Sequence, residues 1–273
     1  MSKLPRPFLK WAGGKSRLLP QYVPYFPKSF TAYYEPFLGG GAVFFHLPPQ
    51  RAVLRDVNPE LINAYCCVRD DVEKLIELLQ QHAGHHNKEY YYEMRARQFS
   101  SNLERAARFI YLNKTCYNGL YRENSRGYFN VPIGRYKNPQ ICPEQLLLAA
   151  SAHLQNARIE VGNFDLVLSE ANADDLVYFD PPYHPISATS NFTAYSRYAF
   201  GEAEQIWLRD TFAKLAHQGV KVMLSNSDCE FIRELYRDFS MFPIAANRAI
   251  NSKADQRGKI SELLIVSYAV DNL

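Results

Sequence analysis

No apolar run in this chain approaches the ~20 residues that span a bilayer, and the stretch from Met1 to Pro7 holds no continuous apolar signal segment. No membrane association is expected, and the expected location is the cytoplasm. Cysteine is sparse: Cys66, Cys67, Cys116, Cys142 and Cys229 show neither paired metal-ligand spacing nor the pattern of a small secreted disulfide scaffold, which points to a reducing compartment. No metal site is expected, because the adjacent pair His85-His86 has no carboxylate or cysteine spaced to complete one and reads as a loop between helices. There is no internal repeat and no low-complexity tract. With 47% hydrophobic and 14% aromatic content in 273 residues, the chain has material for a large core. That length fits one catalytic domain carrying an insertion better than two independent domains. Nothing in it calls for an obligatory protein partner.

An excess of one charge is also missing from the chain as a whole, whose net charge is +3, but not from every part of it. Residues 88–140 hold ten Lys/Arg against four Asp/Glu, a local excess of +6, so the remainder is slightly acidic. Eight of the nineteen tyrosines fall in the same stretch. Cations interleaved with aromatics suit phosphate contacts and base stacking. A solvated helix face beside a Tyr-rich core would have the same composition, so the motifs must decide.

The most informative motif is Asp180-Pro181-Pro182-Tyr183, which follows the apolar run Leu176-Val177-Tyr178-Phe179. It places a carboxylate, two rigid backbone carbonyls and an aromatic face at the C-terminal end of a strand, where open α/β sheets hold their ligands. Prolines fix φ and donate no hydrogen bond, so neighbouring carbonyls are held towards a substrate N–H. Such a set suits a planar exocyclic amine, with Tyr183 stacked on the ring. Taken alone, the motif is equally an ordinary Pro-rich turn.

A second constellation lies near the N-terminus. Tyr33-Tyr34-Glu35-Pro36-Phe37 reads as a short strand, Leu38-Gly39-Gly40-Gly41-Ala42 as a glycine turn, and Val43-Phe44-Phe45 as a helix start. Missing Cβ atoms let a bulky ligand approach such a backbone. The next strand, Ala52-Val53-Leu54, ends at Asp56, placed to accept hydrogen bonds from a ribose. A nucleoside-containing cofactor follows. It is not bound by the dinucleotide fingerprint, since Phe44 stands at the third glycine position, nor by a P-loop, since Gly13-Gly14-Lys15-Ser16 has no glycine upstream at the required spacing.

Periodicity sets the layout. Apolar runs at 33–37, 52–55, 157–161, 176–179, 220–224 and 262–268 read as strands, and 202–218 and 228–238 as helices, which implies an α/β protein with a parallel-rich sheet. About a hundred residues separate Asp56 from the strand at 157, too many for one crossover, and they include helical stretches at 71–82 and 103–113. Gly119, Asn124, Gly127, Asn130, Pro132 and Gly134 punctuate 118–137, which reads as a loop or irregular hairpin.

Together these residues carry a family resemblance. Phe8-Leu9-Lys10-Trp11-Ala12-Gly13-Gly14-Lys15, then Glu35-Pro36-Phe37-Leu38-Gly39-Gly40-Gly41, then Asp180-Pro181-Pro182-Tyr183 resembles the DNA adenine-N6 methyltransferase family of the Dam type. Tyr117-Asn118-Gly119-Leu120-Tyr121-Arg122, the stretch Phe129 to Tyr136, and the stretch Ser187 to Tyr195 resemble the same family. The likeness covers nearly the whole chain. It implies a Rossmann-like sheet dependent on S-adenosylmethionine, formed by residues 1–57 and 157–273, with an inserted, mainly helical DNA-recognition domain at 58–156. It also implies methyl transfer to adenine N6 in double-stranded DNA, in GATC, on a flipped-out base and without a covalent enzyme intermediate.

Residue roles follow from the same resemblance. Asp180 and the Pro181 carbonyl would accept the two amino hydrogens, with Pro182 and Tyr183 completing the catalytic motif. Trp11, Lys15, Asp56 and Asp180 match cofactor-contacting positions, Gly39 and Gly41 would line the methionine side, and Phe164 lies in the segment that contacts the cofactor adenine. Arg122 matches a guanine-reading position, Leu120 and Pro132 match contacts to the thymine methyl, and Lys10 matches a contact to the first guanine. Tyr117 and Asn118 match side chains bordering the space left by the flipped base, while Arg135 and Tyr136 would touch phosphates, which position without specifying.

Two other classes share these features. One is a methyltransferase of the same catalytic motif acting on cytosine N4 or on RNA; the other is a DNA-binding protein without catalysis. The match of the inserted region to the adenine family argues against the first, and the intact catalytic motif and glycine turn argue against the second. Mismatch-repair marking, replication control and protection in restriction-modification all use the same reaction. The basic segment Asn251 to Arg257 is expected to lie near DNA phosphates.

Overall fold

The computed structural model describes residues 5–47, 49–186, 200–246 and 260–270. In chain order its elements are α1 (Leu19–Tyr22), β1 (Tyr33–Glu35), α2 (Ala42–His46), β2 (Ala52–Asp56), α3 (Pro59–Asp70), α4 (Val72–His85), α5 (Lys88–Ala96) and α6 (Asn102–Thr115). Then come α7 (Glu144–Leu154), β3 (Ala157–Val161), β4 (Leu176–Phe179), α8 (Glu202–His217), β5 (Lys221–Ser227), α9 (Glu230–Leu235), β6 (Ser240–Ala246) and β7 (Ile260–Val266). The chain is α/β, as its sequence predicts. It divides into two compact units, whose described parts are 5–16 with 38–162, and 17–37 with 163–186, 200–246 and 260–270.

In the first unit β2 and β3 run parallel, with Leu54 opposite Ile159 and Arg55 opposite Glu160. That register forms an ion pair between the buried Arg55 and Glu160. The chain turns from β2 into α3 at Asn58, whose side chain accepts hydrogen bonds from the N–H groups of Glu60 (3.0 Å) and Leu61 (3.1 Å), with Pro59 at the first helical position. This pairing of an Asn cap with a following proline is a strong helix start. Helix α3 buries Leu61, Tyr65 and Val68 and packs on α6 and α7. The stretches expected as helices at 71–82 and 103–113 are α4 and α6; α3, α5 and α7 are additional. The pair His85-His86 marks a tight junction, His85 ending α4 and Asn87 already capping α5 through Tyr90 N (2.8 Å). The stretch 118–137, expected as a loop or irregular hairpin, contains the isolated antiparallel bridge Glu123↔Phe129, and a second bridge, Cys116↔Ile133, stands at its base.

In the second unit β1, β4 and β5 are parallel, and β7 lies antiparallel between β5 and β6. All four residues of β4 are buried, as suits a parallel strand covered on both faces. Strand β6 is not foreseen by the apolar pattern. It contains Pro243, which supplies no backbone donor and is tolerated because β6 pairs, within this unit, only with β7. Helix α8 begins at Gly201, whose N–H donates to the Glu204 carboxylate at 2.7 Å. Among the described residues no helix is long and apolar enough to cross a membrane, no cluster of His, Cys, Asp and Glu is placed to hold a metal ion, and the five cysteines are free thiols.

Candidate active site

The Asp180–Tyr183 motif leaves the C-terminal end of β4 and is braced from three elements of the second unit. Ser225 on β5 donates from Oγ to Asp180 Oδ1 at 2.8 Å. The Tyr178 hydroxyl lies 2.9 Å from the same Ser225 oxygen; a serine has one proton, already given to Asp180, so Tyr178 is the donor. Gln205 on α8 donates from Nε2 to the Pro182 carbonyl at 2.9 Å, and Asn226 Nδ2 donates to Gln205 Oε1 at 2.9 Å. Asn226 Oδ1 in turn accepts from His184 N at 3.2 Å. Tyr183 Oη donates to Glu262 Oε2 on β7 at 2.7 Å, and Tyr22 Oη donates to the same oxygen at 3.4 Å. Burial, and then the Asp180 charge, push the Tyr183 and Tyr178 phenols well above their ordinary range, so both stay protonated donors. The Pro182 carbonyl is thus occupied from within the protein, whereas no hydrogen bond to the Pro181 carbonyl occurs among the described residues.

Phe164 lies in the same unit, 2% exposed, its ring packed against Phe37 (5.4 Å, stacked) and Trp207 (4.6 Å). Phe200 and Phe179 flank it at 6.1 and 6.5 Å. In this segment Leu166 is exposed and Asp165 half-buried.

The glycine turn belongs to the first unit. Gly39 N donates to Asp56 Oδ2 at 3.0 Å, Asn58 N donates to Asp56 Oδ1 at 3.0 Å, and Tyr65 Oη donates to the Gly39 carbonyl at 3.2 Å. Burial raises the Asp56 pKa, while the N–H groups of Gly39 and Asn58 oppose that shift. Gly39 has a φ of +46°, and a Cβ there would stand 2.7 Å from Trp11 Cδ1, so the indole lies directly on a backbone that only glycine leaves open. Trp11 also stacks on Tyr121 (5.8 Å, 22°). Lys15 is 3% exposed and donates to the Gly13 carbonyl at 2.7 Å. Gly41, at the N-terminal flank of α2, is in the left-handed region as well, with a φ of +65°.

All eight expected DNA-contacting residues, Lys10, Tyr117, Asn118, Leu120, Arg122, Pro132, Arg135 and Tyr136, are exposed in this same unit. Their frame is the buried Asn113. Its Oδ1 accepts from Lys10 N (2.9 Å), and its Nδ2 donates to the carbonyls of Lys10 (2.7 Å) and Gly119 (3.3 Å). The Lys10 ammonium stands 4.0 Å over the Tyr136 ring. Tyr117 N donates to the Pro132 carbonyl (2.9 Å), Asn130 N to the Arg122 carbonyl (3.0 Å), and Arg122 Nε to Asn130 Oδ1 (2.7 Å). Burial, then the charges of Lys10 and Arg6, push Lys114 down to about 8. The stretches Ser187 to Tyr195 and Asn251 to Arg257 lie outside the described residues.

The sequence pattern does not single out Ser225, Gln205, Asn226, Glu262, Tyr22 or Asn113. For Ser225 and Asn226 a signal was present: polar residues at the end of the apolar strand Val222-Met223-Leu224 sit where a parallel neighbour's C-terminal motif would meet them. Glu262 carries only the weaker signal of one acidic residue opening an apolar run.

The family model of D12 class N6 adenine-specific DNA methyltransferases matches residues 11–250. The type II methyltransferase M1.LlaDCHI of Lactococcus lactis subsp. cremoris is 46% identical over 271 residues, which are 96% of this chain and 95% of that protein. The type II methyltransferase M.MjaIII of Methanocaldococcus jannaschii is 44% identical over 287 residues, with 96% and 99% covered. The DNA adenine methylase of Haemophilus influenzae is 36% identical, with 96% and 93% covered.

Proposed function

The chain belongs to the D12 class of N6 adenine-specific DNA methyltransferases, and from that premise we propose that it methylates adenine in GATC, in double-stranded DNA, on a base turned out of the helix. Membership makes it an enzyme with the Rossmann-like methyltransferase fold, acting on DNA with S-adenosylmethionine as methyl donor. The site residues fit that donor: a glycine turn whose N–H is held by a carboxylate, Asp56, at the end of a strand suits a ligand that carries a ribose. Trp11, Lys15, Gly39, Gly41 and Asp56 would hold it. When bound, it supplies an electrophilic methyl on a sulfonium.

The observation that carries the reading is the set of acceptors at the end of β4. Asp180 is held by Ser225 at 2.8 Å, and Gln205 takes the Pro182 carbonyl but not that of Pro181. A carboxylate oxygen and the Pro181 carbonyl accept the two N6 hydrogens, which turns the nitrogen lone pair out of conjugation with the purine and stabilises the positive charge that develops as the N–C bond forms. The S–C bond of the sulfonium would break as the N–C bond forms, leaving S-adenosylhomocysteine, and one N6 proton passes to solvent, with no covalent enzyme intermediate. Tyr183 stacks on the base. Because N6 is engaged in pairing inside the duplex, the adenine must be extruded, at a cost of a few kcal/mol recovered in the pocket.

Residues 58–156 are assigned to target recognition, with 1–57 and 157–273 carrying catalysis. The support is the exposure of all eight reader and clamp residues on one braced hairpin and the N-terminal segment beside it. Tyr117 and Asn118 border the flipped-base space. Arg122 and Lys10 read guanine, Leu120 and Pro132 the thymine methyl, and Arg135 and Tyr136 hold phosphates.

The test is incubation with S-adenosylmethionine and duplexes containing or lacking GATC, followed by nucleoside quantification, with Asp180→Ala as control. N6-methyladenine confined to GATC duplexes and absent with the variant is the expected result. Methylation of adenine elsewhere would discard GATC, and activity in Asp180→Ala would discard the mechanism.

A further inference from the structure

We propose that Glu262 is a positioning residue that fixes the ring of Tyr183 for stacking on the target base, an inference that rests on the reading of Tyr183 as the stacking group. Two rigid prolines precede Tyr183 and set its backbone, but they leave its side-chain torsions unfixed. The Glu262 carboxylate supplies what the prolines do not. Tyr183 Oη donates to Glu262 Oε2 at 2.7 Å, so the ring is held at both ends, by Cβ at the β4 turn and by the hydroxyl at β7. Tyr22 Oη donates to the same oxygen at 3.4 Å and limits how far the carboxylate can swing.

Glu262 is itself anchored. It lies on β7 opposite Ser227 of β5 and Ile244 of β6, so its backbone is paired on both sides. Both phenols are raised by burial, with the Asp180 and Glu262 charges adding, and so remain donors to the carboxylate at neutral pH. A ring tethered through its hydroxyl loses the freedom to swing away from that direction. Stacking geometry in turn sets where N6 stands relative to Asp180 and the Pro181 carbonyl, and displacements of this kind are expensive in rate.

The experiment compares Glu262→Ala, Glu262→Gln, Tyr183→Phe and the double variant Tyr183→Phe/Glu262→Ala in single-turnover N6-methyladenine formation. Affinity for S-adenosylmethionine and the emission of a duplex carrying 2-aminopurine at the target position are read alongside. Glu262→Ala should slow transfer about tenfold without changing cofactor affinity, and should raise the emission of the bound fluorescent base because its stacking is loosened. Glu262→Gln, whose amide oxygen still accepts from Tyr183, should recover most of the rate. The double variant should be no slower than the slower single one, since both changes delete one interaction.

Losses that multiply in the double variant, or Glu262→Ala at the wild-type rate, would overturn the proposal. Tyr183→Phe deletes the same bond without touching β7, so it carries the test if Glu262→Ala does not fold; full activity in Tyr183→Phe would equally overturn it. Wild-type activity in Tyr183→Ala has a different meaning, removing the stacking reading itself and the proposal with it.

Discussion

Ser225 Oγ gives its proton to Asp180 Oδ1 at 2.8 Å while receiving one from Tyr178 at 2.9 Å. The chain of donors has one direction, because Ser225 has a single proton and gives it to Asp180, which leaves Tyr178 to donate to it. The carboxylate is therefore oriented before substrate arrives.

Replacing Ser225 by alanine removes a hydrogen bond to a charged acceptor, worth about 1.5–3 kcal/mol. If that bond orients Asp180 in the transition state, the single-turnover rate falls roughly 10–100-fold with cofactor affinity unchanged. Tyr178→Phe should cost less, since Ser225 can still donate to Asp180. Rapid-quench measurement of N6-methyladenine decides it, and a Ser225→Ala rate equal to wild type would show that Asp180 needs no such support.

Gly39→Ala should weaken binding of S-adenosylmethionine. A Cβ there would stand 2.7 Å from Trp11 Cδ1 and 3.0 Å from its Nε1, and the φ of +46° is strained for alanine. The indole would have to move. Tyr121→Ala should act in the same direction but more weakly, because it deletes the 5.8 Å stack on Trp11, an aromatic pair worth about 0.5–1.5 kcal/mol. Calorimetric titration ranks them; equal and wild-type affinities in both would remove Trp11 from the cofactor site.

The elements that carry the site were legible because each announces itself locally. Leu176–Phe179 is an unbroken apolar run ending in Asp-Pro-Pro, and Gly39, Gly40 and Gly41 interrupt an apolar stretch where a strand must become a helix. The bracing residues were not legible for a matching reason. Ser225 reaches Asp180 across 45 positions and Glu262 reaches Tyr183 across 79, so their significance depends on sheet register, which no local pattern states. Strand β6 was hidden by Pro243, a residue that argues against a central strand and is admissible only on an edge. Helix α3 was not foreseen, although Asn58-Pro59-Glu60 carries a start signal, with a cap, a proline at the first position and an early acid together.

His82 makes the first unit's stability pH-dependent. It is 8% exposed, stacks on Tyr111 at 5.0 Å and has Nδ1 2.7 Å from the Tyr90 hydroxyl. Burial, then the charges of His85 and Arg97, depress its pKa from 6.5 to about 4. The unfolded chain therefore binds the proton more tightly than the folded one. The neutral ring's contribution is whole above 6.5 and is lost as pH falls through the window down to about 4, a change of about 3 kcal/mol at most. Chemical denaturation across that window should show a steeper loss in wild type than in His82→Gln, which has no proton to gain; parallel curves would assign the acid sensitivity to other groups.

Arg122 is braced in a way that suits reading rather than clamping. Its Nε donates to Asn130 Oδ1 at 2.7 Å, and its own carbonyl accepts from Asn130 N at 3.0 Å, so the guanidinium is aimed while its two terminal nitrogens keep the fork that matches guanine O6 and N7. A bidentate contact of this kind discriminates by about 1–3 kcal/mol. Arg122→Ala should accordingly lose discrimination at one base pair, methylating a duplex substituted there almost as fast as GATC, and Arg122→Lys should not restore it, because an ammonium lacks the planar fork. Arg135→Ala should behave differently, slowing all duplexes alike and reducing the salt dependence of binding by about one ion. Competition between GATC and singly substituted duplexes, repeated at several salt concentrations, separates the two roles. Uniform loss in Arg122→Ala would make it a phosphate contact and leave the guanine to Lys10, whose ammonium stands 4.0 Å over the Tyr136 ring.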